Sequence, residues 1–596
     1  MRRIEDYALI GDCETAALVS RDGSIDWLCW PRFDSEACFA ALLGTPEHGR
    51  WLIAPSCGVN RATRRYRDDA LILETTFETD QGIVTLIDFM PVRDSGSDLV
   101  RIVRCEKGEV PMRVEFTLRF DYGRLMPWME RPDERCWQVV AGPHSAVLRT
   151  DVPVQAQHYG ITADFTVRED RPEPFVLSYR ASHLPLPEPV DAENALHRTE
   201  QWWRRWISHC SYKGAWAEPV QRSLITIKAM TYRPTGGIIA APTTSLPERQ
   251  GGQRNWDYRF CWLRDATFMV ACLLKAGFRD EARAWRDWLL RAVAGMPAQV
   301  QPIYGIAGEH RLNEWEASWL PGFNGAKPVR VGNAAFTQFQ LDVFGEVMNA
   351  LHFARRAEIA PSEAGWHLQK ALLDHLGEVW DEPDEGIWEV RAGRQHFVHS
   401  KVMAWVGVDR AIKATELCGL EGPVEQWKTL RNRIHAEVCE RGFDPQRGAF
   451  VQAFGSQYLD ASTLVIPIVG FLPVTDPRMQ STIAVIERDL IRDGFVLRYD
   501  TGKTKDGLPP GEGAFLVCSF WLAENYSLQG RHDEARDLFE RLLTLRNDVG
   551  LLAEEYDPAA KTFLGNFPQA LSHLALVNTA HKLSCEPDAA RASLDP

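Results

Sequence analysis

The hexapeptide Gly386-Ile387-Trp388-Glu389-Val390-Arg391 sets a carboxylate beside a large aromatic residue. Burial against apolar surface disfavours the charged form of a carboxyl group and raises its pKa. A carboxyl tuned in that way can donate a proton in a bond-breaking step, so Glu389 is a candidate general acid. The plain alternative is that it is one of 81 acidic residues on a solvated surface. The pattern His399-Ser400-Lys401-Val402-Met403-Ala404-Trp405 follows it, so Glu389 falls in a loop between two long helical stretches.

Other loops of this kind carry uncommon residues. They are Asn255 to Asp265, Pro328-Val329-Arg330-Val331-Gly332-Asn333, Leu497-Arg498-Tyr499-Asp500 and Leu551 to Asp557, which contains Glu554 and Glu555. Three further signals carry less. Thr501-Gly502-Lys503-Thr504 lacks the earlier glycine of a phosphate-binding loop, since Leu497 stands there. His396 and His399 have metal-ligand spacing, but no Cys/His cluster joins them. Asp381, Glu382, Asp384 and Glu385 lack a calcium-loop pattern and read as a solvated helix end. No metal or cofactor is expected.

The elements that position these loops follow from periodicity. A chain of 596 residues exceeds one core, so at least two domains are expected. Residues 1–185 contain short alternating runs such as Arg64–Arg67, Leu71–Phe77, Ile83–Met90, Leu99–Cys105 and Arg113–Phe120, separated by turn residues. That spacing predicts an N-terminal antiparallel β-sandwich. Proline-rich Leu184–Pro189 ends it, and residues 186–215 read as a linker helix. Residues 216–596 hold helical patterns only, at 216–232, 264–277, 279–294, 331–358, 361–380, 399–418, 422–441, 460–470, 476–491, 510–529, 531–546 and 566–584. These alternate between charged amphipathic helices, as in Arg279–Trp285, and helices apolar nearly all round, as in Ala266–Cys272. One-sided helices lie outside and all-apolar ones inside. The alternation predicts six hairpins closed into an (α/α)6 barrel; a helical solenoid is the competing arrangement. Links from inner to outer helices are tight, as at Gly277 and Gly530, while the outer-to-inner links are long and hold every loop named above. In such a barrel they all emerge at one end, so the tryptophans, arginines and carboxylates converge on one funnel.

At this point the sequence resembles glycoside hydrolase family 15, which holds glucoamylases, glucodextranases and a group of bacterial trehalases, in the two-domain form with a trehalase-like N-terminal domain. The likeness runs through Ile4-Glu5-Asp6-Tyr7-Ala8-Leu9-Ile10-Gly11-Asp12, Arg254 to Ala266, Gly386 to Trp405 and Gly565-Asn566-Phe567-Pro568-Gln569-Ala570. It implies an inverting, exo-acting α-glucosidase that releases β-D-glucose. By the same resemblance Glu389, after Trp388, looks like the general acid and Glu554 like the general base, with Glu555 as a rival for the base. Arg264 and Asp265 match a pair that grips hydroxyls of the terminal glucose, Tyr258 and Trp262 match aromatics lining that subsite, and Arg498 matches an arginine near the same sugar. The chain departs from near bacterial members at Ala326-Lys327-Pro328. Inversion requires an acid and a base on opposite faces of the scissile bond, about 6.5–9.5 Å apart, with water between.

Composition bounds the rest. A net charge of -14 argues against nucleic acid or an acidic membrane as partner, and 21 tryptophans suit either stacking on sugar rings or core packing. The 13 scattered cysteines, with no Cys-x-x-Cys pair and no signal-peptide pattern after Met1, fit a cytoplasmic protein with reduced thiols. The longest uncharged apolar stretch, Ala461–Thr475, is too short for a membrane span. The expected substrate is a small α-glucoside, trehalose first, with glucoamylase or isomaltose-hydrolase activity as the alternative. A sugar phosphorylase and a non-catalytic glucan-binding protein are the rivals from other classes. Oligomeric state is left open, a homo-oligomer included. Trp30-Pro31-Arg32-Phe33-Asp34-Ser35 reads equally as a flap over the funnel or as an interdomain packing loop.

Overall fold

The structure is a computed structural model and describes residues 3–93, 96–157, 159–359, 362–504 and 506–584. Met1 and Arg2, the expected helix start at Pro361, and the 585–596 end of the expected helical unit lie outside those residues.

Residues 7–181 form one antiparallel network of 15 strands. Val59–Tyr66, Leu73–Thr79 and Gly82–Phe89 make a meander whose alternating residues share a face, with Phe77 opposite Val84. Leu99–Cys105 and Arg113–Phe120, two runs in the sequence, belong chiefly to a single strand, Ser97–Thr117. The polar Glu106-Lys107-Gly108 between them resembles a turn but forms a bulge, with Gly108 at φ 78° and a register shift against Gly82–Phe89. A bulge bends a strand. The first half of this one pairs with Gly82–Phe89 and Glu173–Ala181, the second with Arg50–Pro55 and Gly160–Arg168.

Helix α1 (Ala192–Ile207) follows, with the Asp191 carboxylate capping it at the Asn194 amide. It buries Leu196, Trp203 and Trp206, and the Trp206 indole stacks on Phe278 at 4.2 Å. Twelve helices come next among the described residues: α2 (Ala217–Ala229), α3 (Ala266–Lys275), α4 (Arg279–Ala292), α5 (Asp342–Arg356), α6 (Glu363–Val379), α7 (Val398–Cys418), α8 (Val424–Arg441), α9 (Val465–Ile468), α10 (Pro477–Asp489), α11 (Leu516–Leu528), α12 (His532–Leu543) and α13 (Ala570–Ser584). Helix α5 begins later than the pattern at 331 suggests. Arg330–Val331 is paired as a strand and Asn333 caps a separate turn, Ala334–Thr337. Likewise α11 begins at Leu516, because Ala514–Phe515 pairs with Glu555-Tyr556.

Burial follows the alternation in composition. Helix α7 is buried on all sides from Val398 to Ile412, whereas α4, α8 and α12 bury one face and keep charged residues outward. Helix α2 departs from this: it is buried nearly throughout, because the sheet covers its outer face. Arg222 on α2 donates to the carbonyls of Ala70 and Asp68 and lies over the Tyr66 ring at 4.1 Å. In sequence, α3 packs on α5, α5 on α7, α7 on α9, α9 on α11 and α11 on α13, and α13 returns to α3. The link from α3 to α4 spans 276–278 and that from α11 to α12 spans 529–531, while 230–265, 293–341, 380–397, 442–464, 490–515 and 544–569 are the long ones. Each long link leads into one of the mutually packed helices.

Candidate active site

One cavity is lined by Tyr258, Trp262, Arg264, Asp265, Trp388, Glu389 and Arg498, which come from three long links. Glu389 closes a tight turn in which its amide donates to the Gly386 carbonyl, and its φ is 56°. A non-glycine residue in the left-handed region is strained, a condition found where a side chain must be aimed. Its Oε1 accepts from Trp262 Nε1 at 2.6 Å and from Arg264 Nη2 at 3.0 Å. The indole in contact with this carboxylate is therefore Trp262, which corrects the expectation that its neighbour Trp388 would supply the ring. Trp388 turns the other way. Its Nε1 donates to both carboxylate oxygens of Asp460, at 2.9 and 3.0 Å, and its ring meets Phe515 edge-on at 5.5 Å.

Glu554 is not among the residues that line this cavity: it stands behind Tyr258 and is wholly buried. Its Oε1 accepts from the Tyr258 hydroxyl at 2.6 Å and its Oε2 from the Asn566 amide at 3.2 Å. Burial first, and the nearby Glu248 charge second, push its carboxyl up to about 8, while the Tyr258 bond works against the rise. Gly565 is required beside it, because its φ is 71° and a Cβ there would collide with Glu554 Oε2. The loop is held from α13, where Ser572 Oγ donates to the Ala553 carbonyl at 2.8 Å and His573 Nε2 accepts from the Leu552 amide at 3.2 Å.

Glu555 points away from Tyr258, as successive residues at the start of a strand do. Its Oε2 accepts from the Gly513 amide at 2.9 Å, and burial raises its carboxyl well above the usual range. It joins Glu248 and Glu512 around Arg498. That guanidinium makes a two-pronged contact with Glu512 at 2.8 and 2.6 Å and reaches Glu248 Oε2 at 2.8 Å. Oxygens of these three carboxylates lie within 4.8 Å of one another, the spacing of a cation site. Arg498 already donates to two of them and lies 4.0 Å from the third, so a guanidinium supplies the positive charge there. Glu248, Glu512 and Asp460 were missed in the sequence. All three sit in long links, so the rule that found Glu389 applies to them too.

Asp265 is buried, and burial pushes its carboxyl up to about 6 against the pull of Arg264. His399 lines the cavity while His396 stacks on Phe454 at 6.0 Å, so the two do not form a metal pair. Asp384 is not solvated, contrary to expectation: it is buried and its Oδ2 accepts from the Leu341 amide at 3.0 Å. In the loop that departs from the resemblance, the Pro328 carbonyl accepts from Asn255 Nδ2 at 3.0 Å. Trp30–Ser35 is packed in the seam between sheet and helices. Trp30 Nε1 donates to Ser97 Oγ at 2.6 Å, Arg32 pairs with Glu309 at 2.7 Å, and Arg259 donates to the Ser35 carbonyl at 2.7 Å. None of its residues lines the cavity, so of the two readings the packing loop holds. Among the described residues all twelve cysteines are free thiols, and no helix is long and apolar enough to cross a membrane.

An antiparallel sheet domain precedes the helices, and carboxylates and aromatic rings gather at one cavity, groups suited to acid–base chemistry on a sugar ring. The chain belongs to glycosyl hydrolases family 15, which residues 214–581 match, and it is a glycoside hydrolase. Residues 1–203 match a trehalase-like N-terminal domain. A trehalase of Mycolicibacterium smegmatis is 36% identical, over 98% of this chain and 92% of the other. A trehalase of Thermoplasma volcanium is 34% identical, over 98% and 93%. In three dimensions the chain is similar to a bacterial glucoamylase complexed with acarbose, with TM-score 0.74 at 13% identity, covering 100% of this chain and 96% of that one.

Proposed function

We propose that the protein is an inverting, exo-acting α-glucoside hydrolase whose substrate is trehalose. Glu389 protonates the glycosidic oxygen and Glu554 takes a proton from the attacking water. Arg264 and Asp265 hold hydroxyls of the ring in the cavity, Tyr258, Trp262 and Trp388 wall it, and Arg498 stands beside it.

The carrying observation is how the two carboxyls are kept apart. Trp262 bonds Glu389, Tyr258 bonds Glu554, and the two rings meet edge to face with centroids 5.0 Å apart. Two aromatic side chains therefore separate acid from base. That arrangement is compatible with the gap of about 6.5–9.5 Å that inversion requires. Full-length similarity to trehalases supports the substrate. The helical part is read as an (α/α)6 barrel, supported by the succession of inner helices that returns from α13 to α3. Residues 1–185, 186–215 and 216–596 are then sandwich, linker and catalytic unit, and the free thiols suit a cytoplasmic address.

The test is kcat/KM for trehalose, isomaltose, maltose and soluble starch, with free glucose and glucose phosphate both followed. Trehalose is expected to lead, with glucose the only product. A lead for isomaltose, maltose or starch would overturn the substrate, and glucose phosphate would overturn hydrolysis.

A further inference from the structure

Glu346 on α5 and His399 on α7 line the same cavity as Arg264 and Asp265, yet hold none of the residues assigned above. They are 4% and 3% exposed. Glu346 Oε2 and His399 Nδ1 are buried without a hydrogen-bond partner. Buried polar atoms are almost always paired in native proteins, so two orphans on residues of one cavity wall call for partners that the protein itself does not supply. Around them the wall is apolar, with Phe268, Val465, Trp521 and Leu571. A few convergent polar groups in an apolar wall fix the orientation of a small ligand.

Backbone geometry makes these positions rigid. Helices α5 and α7 approach so closely at Gly345 that a Cβ there would collide with the Met403 carbonyl. Glu346, the next residue, stands one turn into α5, about 6 Å from its first residue, and therefore deeper than the link that carries Glu389. Burial, reinforced by Asp342 and Asp265 and opposed by a Thr267 hydrogen bond, pushes its carboxyl up to about 8. Burial and the Arg264 charge bring His399 down to about 3. Near neutral pH the wall thus offers a carboxylic acid that donates, a neutral imidazole, and the Asp265 carboxylate that accepts.

We propose that Glu346 and His399 are specificity-determining contacts for the hydroxyl groups of the terminal sugar farthest from its anomeric carbon, the 4- and 6-hydroxyls. This rests on the glucosidase reading above: an exo-acting enzyme presents C1 to Glu389, so the opposite end of the ring enters first and meets the deeper wall. A ring without those hydroxyls, or with the 4-hydroxyl inverted, leaves buried polar groups unpaired, which a site discriminates against strongly.

The probes are α-D-glucosyl fluoride and its 4-deoxy and 6-deoxy derivatives. Wild type is expected to lose at least about 10-fold in kcat/KM on one deoxy substrate, the loss of a buried hydrogen bond. Glu346→Leu should lose about as much on the parent fluoride and little more on that deoxy substrate, so the discrimination collapses. Glu346→Gln, which keeps a donor, should restore most of it. His399→Phe provides the same comparison from the other helix if Glu346→Leu fails to fold. A wild type that does not hydrolyse glucosyl fluoride refutes the glucosidase reading. A wild type that does, with variants that slow all three substrates equally, leaves that reading intact and overturns the role of Glu346 and His399.

Discussion

The Tyr258 hydroxyl and Glu554 Oε1 stand 2.6 Å apart although 296 residues separate them in the chain. A phenol that donates to a carboxylate stabilises its charged form, and here it opposes the burial that pushes Glu554 up to about 8. The base must be charged to accept a proton, so activity is lost as pH falls through its pKa. The acidic limb of kcat/KM is expected well above the ordinary carboxylate range. Tyr258→Phe should move that limb to still higher pH and lower activity at pH 7 by about 10–100-fold, as removal of a bond to a charged group does. An unmoved limb in the pH profile would rule out this role for Tyr258.

Glu389→Gln and Glu554→Gln should each lower trehalose hydrolysis by about 10²–10⁴-fold while the fold is kept. They differ on α-glucosyl fluoride. Fluoride leaves without protonation, so Glu389→Gln should retain much of its rate there and Glu554→Gln should not. Equal losses on both substrates would show that Glu389 is not the proton donor.

Stereochemistry offers a separate check. Inversion turns the ring held in the cavity into β-glucose, and the second ring of trehalose leaves with its α configuration. Proton NMR of fresh digests should therefore record equal α- and β-glucose from trehalose, and β-glucose alone from glucosyl fluoride. α-Glucose alone from the fluoride would mean retention.

Arg498→Lys should behave as a severe change. Lysine cannot reproduce the two-pronged contact with Glu512, and it leaves Glu512 and Glu248 short of donors in a buried site. Breaking such a pair costs about 3–5 kcal/mol, so both the unfolding midpoint and kcat/KM are expected to fall. A variant with wild-type stability and KM would show that this network is dispensable.

His573 couples the base loop to acid stability. It is wholly buried, and burial with the charges of Arg546 and Arg222 lowers it to about 3. The unfolded chain binds a proton at about 6.5 where the folded chain does not. Its contribution is therefore complete above pH 6.5 and declines as pH falls from 6.5 towards 3. His573→Gln should lower stability at pH 7 by loss of the Leu552 and Ser223 contacts. It should also flatten the decline in unfolding midpoint between pH 6.5 and 4; a parallel curve would refute the assignment.

The sequence alone determined the local features. Hydrophobic period and composition separate helices buried all round from one-sided ones, because each helix reports its own surroundings residue by residue. The long links follow from where those periods stop, and the roles of Glu389, Arg264, Asp265 and Arg498 within them follow from the family resemblance. Only the tertiary structure decided the partners. It put Trp262 rather than Trp388 against Glu389, turned Glu554 and not Glu555 towards Tyr258, surrounded Arg498 with Glu248 and Glu512, and packed Trp30–Ser35 into the seam. It also made one bent strand of Ser97–Thr117 where the sequence suggests two. The physical reason is common to these cases. A hydrogen bond of about 3 Å depends on which backbones meet, and those meetings join residues hundreds of positions apart, beyond the reach of any local pattern.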